Sequence, residues 1–408
     1  MTGTFCPIPW LFQAPRSNGD LRVCCQANSS EDYGLIRKED GSPYNAQTDY
    51  LEESRNNPMM KQMRLNMLEG KWSSQCVRCQ TEEENGHHSR RLAENNDWWL
   101  DIDQARKFTK PDGTVDGIAI QYYDFRFGNK CNLACRMCGP SDSDTWYDDY
   151  IALNNSNTFI NNGGEKVTIG SYDKFNWHES KYFWKQIEKN IHNIKRVYFA
   201  GGEPTLIQKH YDFLERCVEI GQAEKMIIEY NTNMSTMPPR LLNLWKHFKR
   251  VIIGASIDGY GDILEYQRYP AKWDKIYQNI LKVDELPDNV RGWFTYTVTS
   301  INVAHTPDFI QWIKEQNFKK LNRVKHHFAF GPAHMNIQVL PDEYKEYVTK
   351  LLDIEDPICR GISKYMNSKS TTNKNWNSFV RTTTELDKIR NQDITKLIPE
   401  IAKYVKYI

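Results

Sequence analysis

The fold of this chain is decided by an apolar run that leads directly into a loop of three cysteines. The run Ile118-Ala-Ile-Gln-Tyr-Tyr-Asp-Phe-Arg-Phe127 continues into Gly-Asn-Lys-Cys131-Asn-Leu-Ala-Cys135-Arg-Met-Cys138. Aromatic and β-branched residues of this kind favour a buried strand. We therefore expect a strand whose carboxyl end carries the thiols, because α/β folds hold their ligand sites at that end of the sheet.

Short β-rich runs alternate with amphipathic helical stretches after this point. The predicted strands cover residues 118–127, 196–199, 226–231, 251–257, 293–298 and 324–330, and the predicted helices lie near residues 142–154, 180–192, 206–220, 238–248, 272–285 and 306–315. Repeated βα units predict a parallel sheet with right-handed crossovers. The predicted class is α/β, with the sheet either open or curled into a partial barrel.

The two flanks of this array differ from it in character. Residues 1–105 are polar and rich in turn signals, so we expect a bound metal centre to organise them. The tail is predicted to be helical over residues 342–352 and 385–405. The expected organisation is an N-terminal module (1–105), a central βα domain (115–335) and a helical C-terminal region (336–408).

Bulk composition narrows the class of protein. The chain has 408 residues, a net charge of +1 and a hydrophobic share of 39%. Nothing in this charge balance calls for nucleic acid or an anionic membrane as a partner. No apolar run approaches the roughly 20 residues of a membrane span, and the first residues lack a secretory signal. We therefore expect a cytoplasmic protein, in which ten cysteines, eight of them in two groups, indicate metal ligation rather than disulfides.

The spacing of Cys131, Cys135 and Cys138 is uneven, as C-x3-C-x2-C. Zinc sites usually combine paired short spacings to close a tetrahedron. Three thiolates on one short loop can instead hold three corners of a 4Fe-4S cluster and leave the fourth iron open to a chelating ligand. A structural zinc loop is the alternative.

These residues resemble the signature of the radical S-adenosylmethionine (SAM) superfamily. Gly201-Gly202-Glu203-Pro204, after the second predicted strand, resembles the GGE motif of that family, whose glutamate receives the SAM amino group. The resemblance implies a partial (β/α)6 TIM-type barrel that binds a 4Fe-4S cluster and SAM. The cysteines would then be the catalytic cluster ligands.

Further polar residues follow in the order that this family has them. Asn231-Thr-Asn233 ends the third strand, and Ser256-Ile-Asp258 ends the fourth. Both resemble the positions that contact the ribose, and Arg268 resembles the arginine that meets the SAM carboxylate. The simpler reading of each strand end is a turn stabilised by Asn, Asp or Ser side chains.

The N-terminal cysteines resemble the twitch and SPASM auxiliary-cluster modules of radical SAM enzymes. The order is Cys6, then Gly19-Asp-Leu-Arg-Val-Cys24-Cys25, then Cys76-Val-Arg-Cys79, here ahead of the barrel rather than behind it. The resemblance implies a second 4Fe-4S cluster held by Cys6, Cys24, Cys76 and Cys79, with Cys25 as the spare thiol. Zinc is the main rival ligand for such a set.

The resemblance implies reductive cleavage of SAM and hydrogen abstraction from a substrate. By analogy the substrate is a peptide or protein side chain, and an electron donor such as flavodoxin or ferredoxin is the expected partner. No separate leader-peptide domain is expected ahead of the module. The alternatives are a small-molecule or nucleotide substrate, and a non-catalytic Fe–S or zinc scaffold.

Some residues remain open on the sequence alone. Asp124 and Arg126 share one face of the first strand and form either a structural ion pair or a contact to substrate or SAM. Cys359 is either core filler or a hydrogen-atom donor. The basic stretch 319–327, His334 and Gln338 are weaker candidates for ligand contacts.

Overall fold

The computed structural model describes residues 3–405 in two compact units. The first unit comprises Met1–Asn129, Ile160–Glu229 and His247–Lys249, and the second comprises Lys130–Phe159, Tyr230–Lys246 and Arg250–Ile408. Residues 1–2 of the predicted N-terminal module and 406–408 of the predicted C-terminal region lie outside the described residues. The predicted division at residues 105, 115 and 335 stays a prediction.

Eight strands form one sheet in the order β10-β9-β8-β7-β6-β3-β1-β2, and β4 pairs with β5. The bounds are β1 Phe12–Pro15, β2 Leu21–Arg22, β3 Tyr122–Phe127, β4 Thr158–Ile160, β5 Lys166–Thr168, β6 Arg196–Gly201, β7 Ile227–Thr232, β8 Arg250–Ser256, β9 Val290–Val298 and β10 Val324–Phe328. The β1–β3, β3–β6, β8–β9 and β9–β10 pairs are parallel. The predicted α/β class with a mostly parallel sheet is confirmed.

All six predicted strands are present as β3, β6, β7, β8, β9 and β10. The first is shorter than predicted and begins at Tyr122 rather than at residue 118. The amide of Gln121 donates to the carbonyl of Leu11, so pairing with the neighbouring chain already starts there. Strand positions could therefore be predicted from the residue pattern, but strand ends could not.

The N-terminal segment is more regular than its composition suggests. β1 joins the main sheet parallel to β3, with Phe12 opposite Tyr122, and β2 continues from it antiparallel. The sequence analysis predicted no strand here, because residues 1–105 are polar and rich in turn signals. Pro15 lies at the end of β1, where the ladder needs no further donor.

The helices follow the predicted alternation in the central part of the chain. The bounds are α1 Ile8–Leu11, α2 Leu51–Arg55, α3 Pro58–Leu68, α4 Val77–Glu84, α5 Arg90–Asp97, α6 Ile102–Lys107, α7 Tyr147–Asn154, α8 Lys181–Asn190, α9 Gln208–Glu219, α10 Pro239–Trp245, α11 Gly261–Gln267, α12 Trp273–Asp284, α13 Thr306–Gln316, α14 Asp342–Leu351, α15 Pro357–Asn367, α16 Thr372–Arg390, α17 Ile394–Leu397 and α18 Ala402–Val405. The predicted tail helix over residues 385–405 is in fact three helices, because Asn391 adopts a left-handed conformation and ends α16.

The core of the first unit is built on alternate residues of β3. Phe125 is fully buried, and its ring contacts the rings of Phe183, Phe199 and Phe213. The Ser180 hydroxyl accepts a hydrogen bond from the Phe183 amide and thereby caps α8. This packing fixes the position of β3 within the first unit.

Within residues 3–405, none of the helices combines the length and the apolar character that a membrane span requires.

We expect Phe125→Ala to lower the free energy of unfolding by about 3–5 kcal/mol, because it removes a ring from the centre of an aromatic cluster and leaves a cavity. Tyr182→Ala is the matched control, since Tyr182 is 44% exposed beside the buried Phe183. Urea denaturation followed by tryptophan fluorescence measures both. An equal loss in the two variants would contradict the assignment of this core.

Candidate functional site

The cysteine loop follows β3 and precedes α7, and its backbone is held at several points in the second unit. The amide of Ala134 donates to the carbonyl of Tyr269 at 2.6 Å, and the amide of Arg136 donates to that of Gln267 at 2.8 Å. Trp146 Nε1 donates to the carbonyl of Cys135 at 2.9 Å. The loop is therefore fixed against the residues after α11, although it has no regular secondary structure.

Two side-chain N–H groups approach the sulfurs of this loop. Arg268 Nη1 lies 3.8 Å from Cys135 Sγ, and Asn233 Nδ2 lies 3.8 Å from Cys131 Sγ. A hydrogen bond from the Cys138 thiol lowers the pKa of Cys135, and the Arg268 guanidinium acts in the same direction. At Cys135 this favours the anionic sulfur, which is the form that binds metal, whereas the same hydrogen bond raises the pKa of Cys138.

Arg268 is itself held by Asp258. Arg268 Nη2 lies 2.5 Å from Asp258 Oδ2, and the two side chains are 9% and 0% exposed. The second carboxylate oxygen of Asp258 accepts from the amide of Thr297 at 2.6 Å. The sequence analysis predicted both as SAM contacts. In the structure they pair with each other, and Arg268 also approaches Cys135.

The third predicted strand end carries a side-chain network that reaches the cysteine loop. Asn233 donates to Asn132 Oδ1 at 3.1 Å, and Asn132 donates to Ser235 Oγ at 2.8 Å. The sequence analysis predicted Asn233 but missed Asn132 and Ser235. Their positions between two cysteines and two residues after Asn233 were the only signal for them.

Asn231 and Ser256 end neighbouring strands, as predicted. Asn231 occupies space that a side chain at Gly254 would need, because a Cβ there would lie 2.4 Å from Asn231 Oδ1. Gly254 therefore lets the amide of Asn231 extend across β8. Ser256, two residues on, is partly exposed at the carboxyl end of β8.

The Gly201–Pro204 stretch lies in the first unit, at the end of β6. Gly201 has a φ of +124°, and a Cβ there would lie 2.7 Å from the Phe127 amide nitrogen, so only glycine fits. The Gly202 amide donates to the Gly128 carbonyl at 3.1 Å. Glu203 is 1% exposed, and one carboxylate oxygen accepts from the Thr205 hydroxyl at 2.7 Å. Pro204 begins the turn that follows.

The structure also brings four N-terminal cysteines together in the first unit. Cys6, Cys24, Cys76 and Cys79 line one small cavity of about 30 Å³. Met63 and Met67 of α3 and two arginines of α5 are also part of its wall. Burial raises the pKa of Cys6, and it raises the pKa of Cys76 to about 12.

Cys25 is not among the described residues that line this cavity. Its neighbour Cys24 donates a hydrogen bond to it and lowers the pKa of Cys25 to about 7, with Arg90 and Arg126 contributing in the same direction. The two adjacent thiols therefore lie in different surroundings. The sequence analysis named Cys24 as the ligand and Cys25 as the spare thiol, and that assignment stays a prediction.

The side chains at the cysteine loop determine which metal centre or ligand could bind there. Among residues 3–405, no three His, Cys, Asp or Glu side chains are arranged around a single ion. Three thiols on one loop are nevertheless the soft donor set that an iron–sulfur cluster uses. Arg268 Nε, on a side chain that is 9% exposed, has no acceptor among the described residues, so this guanidinium has a donor left for a further group.

Residues 125–326 match the model of the Radical SAM superfamily. The stretch 125–326 is thus similar to a radical SAM domain. The match begins within β3 and extends past β10's first residues. It includes the three loop cysteines and the other predicted site residues of the central domain, namely Gly201–Pro204, Asn231, Asn233, Ser256, Asp258 and Arg268. A radical SAM domain indicates an enzyme that uses SAM and a 4Fe-4S cluster.

No curated protein shows a significant match to the chain. Among similar solved structures are anSMEcpe with bound AdoMet and a Cp18Cys peptide (15% identity, TM-score 0.38, covering 62% of this chain and 67% of that one), and SuiB of Streptococcus suis bound to its precursor peptide SuiA (13%, 0.34, 76% and 66%). A third is TYW1 with a lysine-pyruvate adduct (14%, 0.30, 56% and 72%). The chain thus spans about two thirds of the length of the first two, which match at 67% and 66%.

Asp124 and Arg126 form an ion pair at 3.2 Å on β3. The Asp124 side chain is 3% exposed, whereas that of Arg126 is 41% exposed although its strand has neighbours on both sides. A charged side chain so exposed on an interior strand faces an open space rather than packed core. The pair therefore combines a buried anchor with a guanidinium that solvent can reach.

Four weaker candidates remain from the sequence analysis: Cys359, His334, Gln338 and the basic stretch 319–327. Cys359 is fully buried on α15, and burial raises its pKa to about 11. Gln338 donates to the Tyr365 carbonyl and to Ser368, and burial lowers the pKa of His334 to about 4. In the basic stretch, Lys320 pairs with Asp288. These contacts favour packing roles for all of them.

We expect Asp258→Ala to destabilise the radical SAM domain by about 3–5 kcal/mol, because it leaves the Arg268 charge buried without its carboxylate. Thermal and urea unfolding measure the loss. The control is Asp262→Ala, which removes an exposed carboxylate four residues after Asp258. It should change the free energy of unfolding by less than about 0.5 kcal/mol. Equal effects would show that the Arg268 pair is not a buried ion pair.

Proposed function

We propose that this protein is a radical SAM enzyme whose catalytic 4Fe-4S cluster is held by Cys131, Cys135 and Cys138. The observation that carries this proposal is the fixed cysteine loop with N–H donors directed at two of its three sulfurs. Such donors stabilise thiolate ligands and adjust the potential of the cluster that they hold. When bound, the cluster and SAM supply the one-electron chemistry that yields a 5′-deoxyadenosyl radical, which abstracts hydrogen from the substrate.

The SAM contacts that we propose are the residues predicted from the family resemblance. They are Gly201, Gly202, Glu203, Pro204, Asn231, Asn233, Ser256, Asp258 and Arg268. Gly201 and Gly202 rest on the family resemblance, since the glycine requirement at Gly201 is explained by the backbone of β3. The spare N–H of Arg268 supports an anionic ligand group, such as a carboxylate, beside Cys135.

We further propose an auxiliary 4Fe-4S cluster bound by Cys6, Cys24, Cys76 and Cys79. Their convergence on one cavity supports it, since these thiols come from three separate places in the first 79 residues. Burial raises the pKa of Cys6, Cys76 and Cys79, and the hydrogen bond with Cys25 raises that of Cys24, so a cationic metal centre is needed to hold all four as thiolates. With four protein ligands such a cluster serves electron transfer or structure rather than substrate binding.

The proposed substrate is a peptide or protein side chain, with a flavodoxin or ferredoxin as electron donor in the cytoplasm. This extends the resemblance of the N-terminal cysteines to auxiliary-cluster modules. The Arg126 side chain, which is 41% exposed and paired with Asp124, supports a polar substrate, because a polar group can keep a half-exposed guanidinium hydrogen-bonded when it displaces water. Asp124 fixes that guanidinium on β3.

The catalytic proposal predicts that the anaerobically reconstituted protein forms 5′-deoxyadenosine from SAM and dithionite. Cys131→Ala should reduce product to background and lower bound iron by about four atoms per chain. Cys217→Ala, a fully buried cysteine outside both thiol groups, is the control and should keep both. Chromatography and iron analysis measure the outcome, and a wild-type protein without product or iron would refute the proposal.

The auxiliary-cluster proposal predicts different results at two adjacent positions. Cys24→Ala should lose about four iron atoms per chain, whereas Cys25→Ala should keep them, because only Cys24 lines the cavity. Iron content and the electron paramagnetic resonance spectrum of the reduced protein measure this. A zinc content of one ion per chain with unchanged iron would contradict the proposal.

A further inference from the structure

The long helix α16 packs directly against the cysteine loop within the second unit. Ala134, Trp146 and Leu386 form a buried cluster, and Cys138 and Tyr269 pack against it. Leu386 is contributed by α16, outside the 125–326 stretch that matches the superfamily model. A ligand cysteine of the proposed cluster therefore lies against a helix that the matched domain does not include.

A buried arginine of the loop depends on this helix for its carboxylate. Arg136, between Cys135 and Cys138, has a side chain 2% exposed, and its Nη2 donates to Asp387 Oδ1 at 2.5 Å. The same nitrogen donates to Gln392 Oε1 at 2.9 Å, and the guanidinium lies 3.8 Å from the centre of the Tyr266 ring. Asp387 is the one carboxylate that the structure pairs with Arg136 among the described residues.

The Asp387 carboxylate also accepts hydrogen bonds from two other residues. The Tyr266 hydroxyl donates to its Oδ1 at 2.8 Å, and the Ile394 amide donates to its Oδ2 at 2.8 Å. The carboxylate thus joins the loop, α11 and the start of α17. It lines an open cleft of about 710 Å³, so its substitution need not displace packed neighbours.

A second arginine makes the reciprocal contact. Arg390, on the last turn of α16, has a side chain 1% exposed and donates through Nε and Nη2 to Asp149 Oδ2 at 3.0 and 2.7 Å. Its guanidinium lies 4.8 Å from the ring centres of Trp146 and Tyr269. Arg136 of the cysteine loop therefore contacts α16, and Arg390 of α16 contacts α7.

This exchange makes the two segments depend on each other. A guanidinium that loses its carboxylate while still buried is strongly unfavourable, so separation of α16 would destabilise the loop at Arg136 and the helix at Arg390 together. The loop has no regular secondary structure of its own to resist such a change. Its conformation is accordingly set in part by residues that lie far along the chain.

We propose that α16 is a latch that holds the cysteine loop in its ligating conformation, with Asp387 and Arg390 as positioning residues. This inference rests on the proposed function, since it assigns the latch to the cluster-binding loop. It gives the C-terminal region a role in the reaction centre. Neither residue touches the reacting atoms, and each acts through the loop.

The test measures iodoacetamide labelling of each cysteine in the full-length, cluster-free protein, by peptide mass spectrometry under anaerobic conditions. In Asp387→Ala, Cys135 and Cys138 should label about tenfold faster, because the loop opens more often. Cys359, fully buried in the same unit, should keep its rate and so reports whether the unit as a whole unfolds. Lys388→Gln, an exposed change one residue away, is the matched control.

A second measurement separates positioning from bulk stability. In the reconstituted Asp387→Asn protein the shape of the side chain is kept and its charge is lost, so the cluster potential should rise, because reduction adds negative charge near Arg136. Lys388→Gln should leave the potential unchanged. Redox titration followed by electron paramagnetic resonance measures both.

Each outcome decides the question. Unchanged labelling of Cys135 and Cys138 in Asp387→Ala would overturn the latch, as would a parallel rise at Cys359, which would make Asp387 a general stability residue. An unchanged potential in Asp387→Asn would remove its influence on the cluster. A wild-type protein that forms no 5′-deoxyadenosine refutes the proposed function instead, and the labelling result does not depend on that assay.

Discussion

The whole site depends on how an irregular loop keeps its backbone satisfied while it presents three sulfurs. Two of its amides, at Ala134 and Arg136, donate to the carbonyls of Tyr269 and Gln267. These two acceptors flank Arg268, whose side chain is thereby directed to Cys135 Sγ. One short segment after α11 thus supplies both the backbone support of the loop and the cation beside its sulfur. A shift of this segment would change backbone and electrostatics together.

Three buried arginines surround the loop, and each has its own carboxylate. Arg268 pairs with Asp258, Arg136 with Asp387, and Arg390 with Asp149. A cluster with three thiolate ligands carries negative charge, so cations close to the sulfurs oppose the cost of burying it. The paired carboxylates in turn keep the arginines ordered when the loop holds no metal. Local charge balance of this kind explains how so many ionised groups tolerate positions with almost no exposure.

The sequence predicted what periodicity and local spacing encode. The six central strands, the cysteine loop and the polar strand ends were found because each depends on neighbouring residues. β1 was missed because it lies in a polar, turn-rich segment and is stabilised by pairing with β3 and β2. The partner of Arg136 was missed because Asp387 lies 251 residues away in the chain. Arg268 was predicted as a SAM contact, yet its place against Asp258 and Cys135 depends on tertiary packing that no local pattern records.

The N-terminal cysteines illustrate the same limit from the opposite side. Spacing from Gly19 favoured Cys24 over Cys25, and of the two only Cys24 lines the cavity. The two thiols lie close enough for Cys24 to donate a hydrogen bond to Cys25. This hydrogen bond, together with the charges of Arg90 and Arg126, lowers the pKa of Cys25. Two neighbouring cysteines of identical chemistry thus acquire different properties from tertiary surroundings that no local pattern records.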